Sequence, residues 1–160
     1  MGREIQTYDR YKDSGVEWIG KIPREWEVKK LVGRVELIRD LISADKLDQH
    51  QVYHYSIPSI QEYGEAKLEE GEFIDSSKFL VKSGDLLISK LNPRKATLAQ
   101  VKKHNHKAVS SSEFVVLRCD FEKISPKFLL YQMGSVGYTS FIGSLVKSAT
   151  YSHQRVNPTD

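Results

Sequence analysis

Gly84-Asp-Leu-Leu-Ile-Ser-Lys-Leu-Asn-Pro93 is the stretch on which the fold turns. Lys82-Ser-Gly-Asp85 is a turn signal, Leu86-Leu-Ile-Ser-Lys-Leu91 has the length and composition of a strand, and Asn92-Pro93 punctuates its end. Ala96 to Val101 then reads as the return arm of a hairpin, with Lys90, Asn92, Arg94 and Lys95 clustered at its tip.

Downstream, His104-Asn-His106 is a polar turn, and Ser110-Ser-Ser-Glu-Phe-Val-Val-Leu-Arg118 ends in an apolar run that predicts a core strand. Ser125-Pro126 is an N-cap followed by proline at the first helical position, starting a helix through about Met133, where Gly134 ends it. A further short helix is predicted over Tyr138 to Leu145, and Lys147 to Asp160 is polar and loop-like. Upstream, Gly64 and Gly71 mark turns, and Tyr53, Tyr55 and Ile57 alternate with His54 and Ser56 as in a strand with one buried face. Pro58 closes that strand or lies at an edge. Leu31, Val35, Ile38 and Ile42 fall at helical spacing and predict a short helix. Both tryptophans, Trp18 and Trp26, sit in the turn-rich opening Tyr11-Lys-Asp-Ser-Gly-Val-Glu-Trp18-Ile-Gly-Lys-Ile-Pro23-Arg-Glu-Trp26-Glu-Val-Lys-Lys-Leu31, and are expected to anchor it to the core.

This pattern is α+β, with a strand-rich middle and helices toward the end. There is no internal repeat, low-complexity tract or Pro/Gly/Ser-rich linker, so 160 residues are expected to form one domain. With 39% hydrophobic and 28% charged residues the chain is neither disordered nor fibrous. Apolar runs such as Phe114-Val-Val-Leu117 are far short of the roughly 20 residues that span a bilayer, so no membrane partner is expected. Gly2 to Lys12 is polar and lacks a signal-peptide core. The single cysteine, Cys119, excludes an internal disulfide framework and a cysteine-based zinc site; it suits a reducing compartment, and a cytoplasmic location is expected.

Twenty-four Lys and Arg against twenty-one Asp and Glu leave a net charge of +3, which permits nucleic-acid binding without requiring it. The distribution is more telling. Lys90, Arg94, Lys95, Lys102, Lys103 and Lys107 lie in a segment with no acidic residue, whereas Glu62 to Asp75 is strongly acidic, so a basic face is expected. Catalytic signatures are missing. His104 and His106 have no Cys, Asp or Glu close by in sequence to complete a metal site, no Gly-x-Ser-x-Gly elbow occurs, and Gly134-Ser-Val-Gly137 lacks the lysine of a phosphate loop.

The Tyr11 to Trp26 opening, the Gly84 to Lys90 strand, the Ser111 to Leu117 segment, the helix near Phe128 to Met133 and the closing Ser-Ala-Thr-Tyr-Ser-His-Gln-Arg of Ser148 to Arg155 together resemble the amino-terminal target recognition domain of the DNA-specificity subunit of type I restriction-modification systems. That resemblance implies an α+β fold around a twisted, partly barrel-like mixed sheet with flanking helices. It implies a non-catalytic chain that reads one half of a bipartite site in double-stranded DNA. Methylation of adenine and cleavage would belong to the modification and restriction subunits as partners, with S-adenosylmethionine and ATP held there and no cofactor on this chain. A full subunit of that kind has two such domains separated by long helices, and the chain is expected to match half of it, without the spacer helix and second domain.

Under this reading Lys90, Asn92, Arg94 and Lys95 contact DNA, with Asn92 and Arg94 suited to adenine and guanine edges at about 1 to 3 kcal/mol of discrimination each. Ser111 and Ser112, with Ser110 beside them, offer hydroxyls to phosphates, and Tyr151, His153, Gln154 and Arg155 combine aromatic, hydrogen-bonding and cationic chemistry suited to a groove. Each feature also has an ordinary reading: a solvated basic turn, a loop capped by its own serines, a frayed tail. Tyr53 and Tyr55 read as core before contact, and Cys119 as a small apolar side chain at a strand end. Two other functions stay open. One is a protein-interaction module that uses the acidic segment and touches DNA incidentally; the other is a small enzyme built around His104, His106 and Glu113.

Overall fold

The computed structural model describes residues 7–145. Its strands are β1 (Tyr11–Asp13), β2 (Lys21–Pro23), β3 (Val35–Ile38), β4 (Leu41–Ile42), β5 (Gln51–Tyr55), β6 (Lys67–Glu70), β7 (Lys78–Val81), β8 (Leu86–Ser89), β9 (Leu98–Gln100), β10 (Lys107–Ser110) and β11 (Phe114–Cys119). Helix α1 spans Ile57–Tyr63, α2 Pro126–Met133 and α3 Val136–Ser144. A five-stranded sheet runs β4-β7-β10-β5-β6 and a four-stranded sheet β3-β11-β8-β9, while β1 and β2 form a separate ribbon. All pairings are antiparallel except β10 with β5, so the fold is mixed α+β with two open sheets, not a closed barrel.

The strands alternate between two cores. Leu87 of β8, Ala99 of β9 and Phe114 and Val116 of β11 face Tyr55, Val81 and Ala108 of the other sheet, with Ile38 and Ile60 completing this central cluster. The intervening residues Leu86, Leu117 and Cys119 point the opposite way, onto Leu129 and Met133 of α2. On the outer face of the five-stranded sheet, Ile42, Val52 and Val109 are covered by Leu47 and Ile74. Because both faces of β8 and β11 are covered, these two strands read in sequence as unbroken apolar runs rather than as alternation. Cys119 is buried as expected, which pushes its thiol pKa up.

Contacts with two different cores explain why the Leu31 to Ile42 segment is not a helix. Val35 and Ile38 lie three apart on β3, which puts them on opposite faces: Val35 packs toward α2 and Ile38 into the central cluster. Gly33 takes φ 76° in the turn before it, and Ile42 has already crossed to the other sheet. Helical spacing here is a strand that sends one apolar side chain toward each core while Glu36 and Leu37 between them stay exposed.

Tyr53 and Tyr55 share one face of β5, but the strand ends at Tyr55 and Ile57 opens α1. Ser56 and Ser59 form a reciprocal capping box, Pro58 occupies the first turn, and Gly64 closes the helix in the left-handed region at φ 72°. The β8–β9 hairpin, the β11 core strand and α2 with its Ser125 cap follow the sequence expectation. Helix α3 starts at Val136, two residues before the predicted Tyr138, because Ser135 caps it.

Trp18 and Trp26 do tie the opening to the body, but over the helices rather than inside the core. The Trp18 ring stacks on Phe141 and meets Tyr138 edge-on at 5.3 Å, and its carbonyl lies where any side chain at Gly137 would sit. Trp26 packs between Tyr8 and Phe128 and stays 41% exposed. A short ribbon with no second layer of its own has no interior in which to hide an indole.

Candidate functional site

The expected hairpin tip exists and is held rigidly. Between β8 and β9 the chain makes one 3-10 turn, Pro93–Lys95, bracketed by two residues in the left-handed region, Asn92 (φ 47°, ψ 62°) and Ala96 (φ 48°, ψ 48°). Asparagine tolerates that region; alanine there costs about 1 kcal/mol, strain that persists only where surroundings impose it. They do so here. Ser89 Oγ accepts from the Leu91 amide and donates to its carbonyl, the Ala96 amide donates to the Pro93 carbonyl, and the Ser89 amide to the Thr97 carbonyl. Gln61 of α1 donates to Thr97 Oγ1 at 2.9 Å.

The tip is not a free finger. Arg94 is exposed, yet its stem crosses α3 at Gly143: a Cβ there would fall 2.8 Å from Arg94 Cγ and 2.7 Å from Nε. Glycine at 143 makes room for the arginine to lie against the helix, so the guanidinium is aimed by α3. Lys95 lines an open groove of about 470 Å³ with Ile60, Gln61 and Thr97, between α1 and the start of β9.

The β10–β11 turn comes to the same end of the sheets. Lys90 donates its amide to the Glu113 carbonyl, and Ser111 donates its amide to the Tyr55 carbonyl. The Ser111–Ser112 turn is thus tied to Lys90 at the base of the tip, at the same end of the sheets as Asn92, Arg94 and Lys95. Their roles divide: Ser111 Oγ accepts from the Glu113 amide and is occupied in the turn, whereas Ser112 is exposed. Ser110, expected to offer its hydroxyl beside them, is fully buried on β10 and cannot reach a ligand. Tyr151, His153, Gln154 and Arg155 lie outside the described residues.

The acid-free segment does not form one face. Strand β9 carries the chain from the tip to the far end of the hairpin, so Lys102, Lys103 and Lys107 lie opposite Lys90, Arg94 and Lys95. The acidic segment is partly consumed internally: Glu65 pairs with Lys102 at 2.8 Å, Glu69 with His54 Nδ1 at 2.9 Å, and Glu70 accepts from Gln51. Hydrogen bonding and charge from Lys102 hold Glu65 below the usual carboxylate range.

The three groups of the enzyme reading are not brought together. His104 stacks on Tyr53 at 3.8 Å and shares a hydrogen bond between its Nε2 and the Tyr55 hydroxyl, 2.7 Å away, and His106 flanks the same Tyr53 ring. Glu113 belongs to the turn beyond the other end of β10. Among the described residues, no group of three or more His, Cys, Asp or Glu could hold a metal ion, and no helix is long and apolar enough to cross a membrane.

Sequence reasoning missed one buried polar centre. Asp85, 1% exposed, accepts from Arg118 Nε and Nη2 and from the Lys82 amide, each at 2.8 Å. The guanidinium pKa is raised in return by its bonds to that carboxylate. Asp85 and Arg118 are adjacent only through the β8–β11 pairing, a register that no local spacing displays.

No family model matches the sequence, and no curated protein is significantly similar to it. Solved structures do resemble it in fold. A chain from work on complex assembly and conformational transition of the type I R-M system superposes with a TM-score of 0.63 at 20% identity, covering 83% of this chain and 37% of that one. The HsdS subunit from Thermoanaerobacter tengcongensis gives 0.59 at 17% identity, covering 85% and 37%. The chain thus spans 37% of the length of each. It has the fold found in type I specificity-subunit structures, the fold that its opening block and Ser111 to Leu117 segment imply.

Proposed function

We propose that this chain binds double-stranded DNA sequence-specifically and reads one half of a bipartite target for a type I restriction-modification complex. Adenine methylation and cleavage then fall to modification and restriction subunits, which carry S-adenosylmethionine and ATP, in the cytoplasm. The observation that carries the reading is the hairpin tip: a cationic and amide cluster on a strained, immobilised turn, in a fold shared with specificity subunits. Such a turn loses little conformational entropy on binding, which suits base-edge readout.

The test exchanges this unit for its counterpart in a complete two-domain subunit of different specificity and maps methylated adenines in the host. One half of the recognised site should change to that of the donor while the other half stays. In a complex that retains activity, an unchanged half-site refutes the proposal. In the same system Arg94→Ala should narrow the gap between cognate and single-mismatch duplexes by about 1 to 3 kcal/mol.

A further inference from the structure

The lysines at the far end of the hairpin frame a second surface. A groove of about 340 Å³ runs between the Lys82–Asp85 turn and the Val101–His106 loop, floored by Leu80, Val81 and Ala108. Lys82, Lys103 and Lys107 rise from its walls, and all three are exposed. Among the described residues none of them has a carboxylate within ion-pair distance, whereas Lys102 is already neutralised by Glu65. Asp40 at the rim is the one acid lining the groove.

The walls are built, not loose. Gly84 donates to the Val101 carbonyl and Val101 to the Asp85 carbonyl, which joins turn and loop, and the Asp85 carboxylate fixes the Lys82 amide. On the loop side, the hydroxyl of Tyr55, a side chain 1% exposed, accepts from the Lys102 amide at 2.9 Å and meets His104 Nε2 at 2.7 Å. His104 is itself clamped by its stack on Tyr53. The backbones of Lys82, Lys103 and Lys107 therefore keep fixed relative positions.

We propose that this groove binds the phosphate backbone of duplex DNA, apart from the hairpin tip, and supplies affinity that does not depend on base sequence. The inference rests on the DNA-binding reading and adds a division of labour to it. The tip sorts bases, and the groove at the opposite end of β8 and β9 holds the backbone. Unpaired lysines on a fixed frame suit a phosphate ester, which needs charge more than a directional fork.

The full chain carrying Lys82→Ala, Lys103→Ala and Lys107→Ala together is compared with a variant of equal net charge, Lys21→Ala, Lys46→Ala and Lys127→Ala. Binding to a short duplex of random sequence is measured over a series of salt concentrations, with thermal melting to check folding. In the groove variant the logarithmic salt slope should flatten by about 0.9 for each phosphate that the three lysines neutralise in the wild type. It should stay at the wild-type value in the control, and the ratio of cognate to random affinity should be preserved in both. Equal slopes in the two variants overturn the inference while leaving the function reading intact. A wild-type chain with no salt-dependent duplex binding overturns that reading itself, and the inference with it.

Discussion

Replacing Arg118 by leucine tests the buried polar centre most directly. The Asp85 carboxylate sits at 1% exposure and takes three hydrogen bonds, two of them from this guanidinium at 2.8 Å. Arg118→Leu keeps much of the aliphatic stem but leaves a charged carboxylate with the Lys82 amide as its one remaining donor. Breaking a buried ion pair from one side costs about 3 to 5 kcal/mol. The Arg118 side chain is 31% exposed, which lets water approach the vacated side and places the expectation at the lower end, about 3 kcal/mol. For a chain of this size that is a fall in Tm of about 6 to 12 °C. Urea unfolding should show a lower midpoint with an unchanged slope. Adding Asp85→Asn removes the stranded charge, so the double variant should recover about 1 to 2 kcal/mol relative to Arg118→Leu alone. A loss under about 1 kcal/mol for the single variant, or a double variant no more stable than it, refutes the account.

Gly143→Ala should displace the Arg94 stem from α3 and weaken base discrimination as Arg94→Ala does. The helix propensity that alanine gains is offset by the clash with that stem at a buried position, so stability should fall by about 1 kcal/mol in thermal melting; unchanged discrimination in competition binding refutes the positioning role. Burial and the charge of Lys102 lower the His104 pKa, so the folded state disfavours its protonation. That contribution to stability is complete above the ordinary histidine value of about 6.5 and is lost as pH falls through the window between that value and the lowered one. Unfolding free energies at pH 7.5 and pH 5.5 should therefore differ more for the wild type than for His104→Gln, and equal differences refute the assignment.

Much of this fold was legible where local chemistry and final structure agree. Ser125-Pro126 caps α2 with neighbouring atoms alone, and the Leu86 to Val101 hairpin needs a short turn and two compatible arms. Strand β3 was not legible because its burial is shared between two cores, which makes a spacing of three look helical. Helix α1 was hidden behind Pro58, a residue that can end a strand or open a helix equally well. Only the pairing of Ser56 with Ser59 decides, and a Ser-x-x-Ser box is a weak signal. The tip residues could be named from sequence because they are contiguous. Of the groove lysines, Lys103 and Lys107 could be named as part of a basic segment but Lys82 could not, since it joins them through the packing of two loops. Asp40 reaches the same rim from a third part of the chain, and the buried hydroxyl that steadies the frame comes from Tyr55.

The interleaving of strands bears on inheritance. Each large sheet draws neighbours from distant parts of the chain, β5 beside β10 in one and β3 beside β11 in the other. A crossover between related genes that fell inside residues 42–107 would mate strands from two parents in both sheets at once. Their facing side chains were never selected together. Viable recombinants should break on either side of that span, so that whatever this unit recognises passes between lineages as an indivisible allele.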